Sequence, residues 1–303
     1  MSNSRIWPYM LVLFAGFVWG ITFSLARIAT AAGAHPLGLT FWQGAGGAFV
    51  LLIICAIRGR WPIVSTQYFK FYVLLGLIGT AIPGVLFFYA APHVPAGVLA
   101  ITVATVPFIT YAGSMLMGID SYSAKRTLGI AAGMLAIIVL VTPETSLPER
   151  SMVVWVLLVL ISSLFYSAES IYVDMHVPKD ADAIALLAGM LLVAAVLILP
   201  VVVASDSFVP LSWPWGDVEW SVAAMAVVSS LAYATFLYVI QIAGSVFATQ
   251  TGYVVTISGV FWGIMMFNEQ HSVWVWLALA LILFGLALVT PLEREPVLVE
   301  SLD

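Results

Sequence analysis

Charge is what this sequence has least of. Ten Lys and Arg and fifteen Asp and Glu amount to 8% of 303 residues, against 63% hydrophobic residues and a mean hydropathy of +1.11, whereas a soluble domain carries roughly a quarter charged residues. Such a chain cannot cover itself with polar surface in water. Cysteine is scarcer still: Cys55 stands alone in an apolar run, which excludes a disulfide framework and makes the thiol a small buried hydrophobe. Catalytic signatures are absent as well. There is no His-Glu-x-x-His, no phosphate-cradling Gly-rich loop with Lys and no Gly-x-Ser-x-Gly elbow, and the four histidines fall at or near loops. Neither ATP hydrolysis nor intramembrane proteolysis has its machinery, so no enzyme, cofactor or bound metal is expected. The net charge of −5 implies no basic or nucleic-acid partner, because much of the excess sits in a tail where Glu293, Glu295, Glu300 and Asp303 face Arg294.

What remains is a succession of apolar stretches near twenty residues, the length that crosses a bilayer core of about 30 Å. They run at about 7–30, 36–57, 68–91, 94–117 and 125–142, then 151–175, 181–204, 218–241, 244–266 and 272–290. Turn chemistry separates them, as in Arg58-Gly59-Arg60-Trp61-Pro62, Pro92-His93-Val94-Pro95 and Val177-Pro178-Lys179-Asp180. The first stretch is longer than the roughly 7 to 15 apolar residues of a secretory signal, so it is kept as a span. Very short turns join spans three to four and eight to nine, which makes those pairs antiparallel hairpins. Eight basic residues (Arg5, Arg58, Arg60, Lys70, Lys125, Arg126, Lys179, Arg294) fall on the side of the N-terminus and only Arg27 and Arg150 on the other. By the positive-inside rule both termini are expected in the cytoplasm.

The chain also repeats itself. Shifted by 149 residues, Phe71 to Asp120 meets Trp220 to Glu269: Phe87-Phe88-Tyr89-Ala90 falls on Phe236-Leu237-Tyr238-Val239, and the loop acid Asp120 on Glu269. Both halves close alike, with Leu140-Val141-Thr142-Pro143 beside Leu288-Val289-Thr290-Pro291. Five is an odd number of spans, so the second half enters the membrane from the opposite face. The expected architecture is an all-α membrane protein of ten transmembrane helices as two inverted five-helix repeats, 1–146 and 147–303, forming one integral membrane domain with a substrate path at the repeat interface.

Trp19-Gly20 in the first span, the Phe-Leu-Tyr pattern of the third and eighth, Pro107 in the fourth and Asn268-Glu269 after the ninth carry a resemblance. With the five-plus-five plan, the chain resembles the drug/metabolite transporter superfamily with two EamA-type repeats, and within it is similar to bacterial metabolite exporters, including YddG-type amino-acid exporters. Gln43 stands where many members have arginine, so no role of that arginine carries over. The resemblance implies a multi-pass protein of the bacterial inner membrane that exports a small molecule by alternating access, working as a monomer in the lipid bilayer. Amino acids with apolar or aromatic side chains are the expected substrates. The rival readings are a multidrug exporter of lipophilic cations and a membrane sensor that transports nothing.

The residues expected to line the path are few. Glu169 is the only acid well inside a span, on one face with Ser162, Tyr166 and Val173; an ionisable group there is costly unless it faces protein or water. Arg27 is excluded as its partner by depth, roughly 13 Å on one side of the midplane against roughly 9 Å on the other at about 1.5 Å per residue, and is expected to snorkel to the interface. Thr249, Gln250, Tyr253 and Thr256 in span nine, and Thr102 and Thr105 in span four, could wet a cavity or hydrogen-bond within the helix bundle. Gln43, Trp19, Tyr89, Phe165, Tyr166, Tyr233 and Trp262 complete the set, the aromatics as candidate walls. Gly16 with Gly20, Gly129 with Gly133 and Gly259 with Gly263 predict close helix packing, and Pro83-Gly84 predicts a disturbed third span. Trp213-Pro214-Trp215 predicts an interfacial anchor.

Overall fold

The computed structural model describes residues 3–176, 181–243 and 248–289. Lys179, the start expected at 244, Thr290, Pro291, Arg294 and the acidic tail lie outside the described residues, as does the side chain of Arg5. The described residues form the helices α1 (Asn3–Ala31), α2 (Pro36–Arg58), α3 (Thr66–Gly76), α4 (Ile82–Ala90), α5 (Ala96–Val103), α6 (Val106–Leu116), α7 (Ala124–Val141), α8 (Met152–His176), α9 (Ala183–Ala204), α10 (Asp217–Ala243), α11 (Gln250–Phe267) and α12 (Val273–Val289). A π-turn, Leu77–Ala81, joins α3 to α4 in the third span, and α5 with α6 makes the fourth. Among the described residues nine helical spans of 18 residues or more are apolar enough to cross a membrane, and α12, with 17 residues, is a shorter apolar tenth.

Local chemistry sets the ends and the breaks. Ser65 caps α3 by accepting from the Tyr68 N–H, His35 caps α2 through its ring, and Gly59 ends α2 in the left-handed region at φ +64°. The disturbance expected near Pro83 is the π-turn immediately before it, where the proline has no N–H to give to the ladder. Pro107 likewise follows the break at Ala104 and Thr105 between α5 and α6. At the α9 N-terminus Asp182 accepts from Ile184 and Ala185 N–H groups and from Arg58 (2.9 Å) and Arg60 (3.2 Å). Burial alone would raise the Asp182 carboxyl, but the Ala185 amide and the two guanidinium groups outweigh it and hold it below its ordinary range.

The extensive packing contacts all join the first repeat to the second, and they obey a two-fold exchange. Helix α1 packs on α10 and α11; its counterpart α8 packs on α4 and on α6. The pairs α2 with α9 and α7 with α12 map onto themselves, as elements on the pseudo-symmetry axis must. Small residues allow the approach: a Cβ on Gly129 would stand 2.8 Å from the Gly285 carbonyl oxygen, and one on Gly285 would stand 2.9 Å from that of Gly129. Ser258 of α11 fills the space over Gly20 and donates to the Gly16 carbonyl at 2.9 Å. Large apolar side chains such as Phe49, Ile57, Leu116, Val154 and Val196 point outward, which suits lipid and not water. Trp213 in the α9–α10 loop is 82% exposed.

Candidate functional site

Helix α8 is tied to the two broken spans by its own small hydroxyls. Broken spans have carbonyls free to accept a further bond, and α8 uses them: Ser162 donates to the Pro83 carbonyl at 2.9 Å and Ser167 to that of Val106 at 3.1 Å. These bonds fix the rotation of α8, and two turns beyond Ser162 on the same face Glu169 lies against the π-turn. A Cβ on Gly79 would collide with the Glu169 carboxylate, so only glycine lets the acid lie on this backbone. Glu169 is half-buried and forms no ion pair among the described residues. It interacts electrostatically with the phenols of Tyr166 and Tyr233. Tyr233 in turn meets Trp19 edge-on at 6.1 Å and Phe236 at 6.2 Å, and Trp19 meets Phe236 at 6.5 Å.

Four of the expected residues are linked in this way: Glu169, which lies on Gly79, Tyr166 and Tyr233, which feel its charge, and Trp19, which meets Tyr233. Two members of the group had not been expected, Gly79 and Phe236. The spacing of Phe236 from Tyr233, one helical turn, is the signal that could have found it.

The others lie elsewhere. Gln43 is half-buried over α4, its Oε1 facing Gly84. Tyr89 is 38% exposed and pairs edge-on with His35 at 5.9 Å, near the end of its span. Thr102 and Thr105 are buried and donate to the Val98 and Thr102 carbonyls of their own helix, and Thr256 donates to that of Gly252. Trp262 donates to the Phe17 carbonyl at 2.9 Å, with its ring 4.9 Å from that of Phe17. Tyr253 packs on the main hydrophobic core, Gln250 is exposed at the start of α11, and Phe165 is half-buried beside Tyr166.

A second polar cluster closes the face opposite the N-terminus, and it corrects one expectation. Arg27 does not snorkel to the interface: its guanidinium binds Glu269 and covers the Phe267 ring at 4.4 Å. The Glu269 carboxylate also accepts from the Ala96 N–H at 2.7 Å and the Gly97 N–H at 3.2 Å, the first amides of α5, where a helix N-terminus favours negative charge. His271 Nε2 stands 3.4 Å from the same carboxylate. Burial lowers the His271 pKa, against the pull of Glu269, which favours the neutral ring. The exclusion of an Arg27–Glu169 pair stands, since Arg27 has this other partner. A cleft of about 670 Å³ lined by His35, Asp206 and Glu219 opens on this same face, away from Glu169.

Comparison with known proteins bears on the family and the fold. The model of the EamA-like transporter family matches residues 6–142 and again 153–290. The chain is 29% identical over 297 residues to the uncharacterized inner membrane transporter YedA of Escherichia coli K12, covering 96% of this chain and 93% of that protein, and equally to its counterpart in Escherichia coli O157:H7. A crystal structure 18% identical in sequence superposes with a TM-score of 0.62 over 93% of this chain and 96% of that one, a likeness of fold.

Proposed function

The chain belongs to the EamA-like transporter family, and from that membership we propose that this multi-pass membrane transporter exports small amphiphilic solutes bearing an ammonium group, foremost amino acids with apolar or aromatic side chains. What supports the substrate class is one arrangement. A carboxylate with no basic partner among the described residues lies on the Gly79 backbone, and its charge is felt by Tyr166 and by Tyr233 of the Trp19–Tyr233–Phe236 group. The carboxylate would take the ammonium and the aromatic group the apolar part, through contact area and cation–π attraction. A zwitterion's own carboxylate would turn to neutral donors such as the tyrosine hydroxyls.

A second reading keeps the same site and changes the solute. Among the described residues no basic side chain stands beside Glu169, which favours cations lacking a carboxylate, the lipophilic amines of a multidrug exporter. Counterflow in proteoliposomes decides between them, using phenylalanine, its methyl ester and a tetraalkyl aromatic cation. Saturable phenylalanine exchange supports amino-acid export; exchange of the ester and the cation alone supports the second reading. Exchange of none would sink both.

We further place the protein in a bacterial inner membrane with both termini cytoplasmic, on the basis of the basic side chains crowded at the N-terminal face. Reporter fusions at Pro92 and Asp206 should then both read as external. An external signal from a fusion at the C-terminus would overturn this orientation.

A further inference from the structure

The pairing of Arg27 with Glu269 does more than brace two helix ends. Three elements from both repeats meet at this one carboxylate: the end of α1, the N-terminus of α5 and the loop after α11. The approach is tight. A Cβ on Gly263 would stand 2.5 Å from Glu269 Oε2, and one on Gly97 would stand 2.8 Å from His271 Nε2. Below the cluster the same elements stay in contact, with Gly259 of α11 against Ala100 of α5 and Phe23 of α1.

The repeat supplies the second observation. Asp120 occupies the position equivalent to Glu269 on the other face of the membrane, yet its side chain is 35% exposed and pairs with Arg126 at 3.4 Å, whereas that of Glu269 is 6% exposed. Equivalent acids in the two repeats thus sit in unlike surroundings, one sequestered and one open to solvent. Carriers built from inverted repeats alternate by exchanging the arrangements of their halves, so what is sealed at one face is what must open there later. Contacts of charge to amide suit such a seal. Water can replace them at either partner when the helices part, which interdigitated apolar side chains do not allow.

We propose that Arg27, Glu269 and the α5 N-terminus form the gate on the face opposite the N-terminus, and that substrate leaves through the seam between α1, α5 and α11 when this gate opens. The proposal rests on the chain being a transporter but needs no particular substrate.

Its test therefore uses none. In a Cys55→Ser background, Ala100→Cys places one thiol in the seam, where the native residue is 2% exposed. A membrane-impermeant maleimide is then applied from the face opposite the N-terminus. Glu269→Gln and Arg27→Gln should each raise the labelling rate at least about ten-fold, as the closed population falls. Arg27→Gln leaves the carboxylate on the α5 amides and so preserves the fold should Glu269→Gln fail to do so. The exchange Arg27→Glu with Glu269→Arg should stay fast, because it aims a guanidinium at the Ala96 and Gly97 N–H groups. Unchanged labelling in a folded single variant would reduce the cluster to a static brace, and full protection restored by the exchange would take the α5 N-terminus out of the gate. Failure here leaves the substrate assignment intact, and the converse also holds.

Discussion

Glu169→Gln should lower saturable counterflow of an ammonium-bearing solute by at least about ten-fold, the equivalent of roughly 1.4 kcal/mol, without lowering the melting temperature of the purified carrier. The argument has two sides. An ammonium leaving water needs charge-assisted acceptors, and a neutral amide offers one dipole in place of a carboxylate. Glu169, in turn, forms no ion pair among the described residues, so its replacement orphans no cation there, and this separates the variant from the removal of one member of a buried salt bridge. Transport by the wild type should fall as the medium is acidified through the titration of Glu169, since a protonated carboxyl loses the ammonium; the glutamine variant should show no such step. Gly79→Ala is the companion test. Its Cβ displaces the carboxylate while leaving the charge in the protein, so it should impair binding yet retain a titrating step. Equal rates for wild type and Glu169→Gln at every pH would make the acid a structural residue.

Among the described residues, hydropathy placed the span ends to within a few residues, the start of the ninth excepted, because bilayer thickness imposes a length and hydropathy marks it. Pro83 likewise announced the disturbed third span, since a missing N–H acts locally, whereas the break before Pro107 in the fourth had not been expected. The geometry of those breaks was not readable. Nothing in Leu77–Ala81 says that the chain will take a π-turn, and Gly79 gains its meaning only from a residue of another helix. The threonine stripes show why site residues are harder than spans. Spacing places Thr102, Thr105 and Thr256 on helix faces, but it cannot say whether a hydroxyl turns to a cavity or back onto its own helix, and here they turn back. Trp262 behaves in the same way, using its N–H to hold α1. For Arg27, depth correctly excluded Glu169, but depth alone cannot reveal a partner 242 residues away. The 149-residue repeat came closest, by setting Glu269 opposite Asp120 and marking both as loop acids.

Phosphorylated and strongly anionic solutes should not be carried, although relatives in the wider superfamily take sugar phosphates and nucleotide sugars. The reason lies in where the basic side chains are and what already holds them. Arg58 and Arg60 bind Asp182, Arg126 binds Asp120 and covers Tyr111 at 5.1 Å, and Arg27 binds Glu269. Arg150 donates to the carbonyls of Val141 and Thr142, while Lys70 and Lys125 are exposed near the ends of their spans. None of these reaches the middle of the membrane beside Glu169. A phosphate sheds its hydration only where charge-assisted donors replace the lost water, usually from Arg or Lys. Two tyrosine hydroxyls cannot do this for two negative charges, and Glu169 would repel them, all in surroundings of low dielectric. A single carboxylate on a zwitterion is a lesser demand, because its own ammonium meets Glu169. Counterflow of glucose 6-phosphate or a nucleotide sugar should therefore run at least about 100-fold slower than that of the best amino acid or amine, a difference of roughly 2.7 kcal/mol. Introducing Gln43→Arg, whose side chain starts over Gly84 of the broken third span, should narrow that gap by supplying a charged donor. Saturable phosphate exchange by the unaltered protein, at rates equal to those of an amino acid, would show that anions find donors other than these side chains.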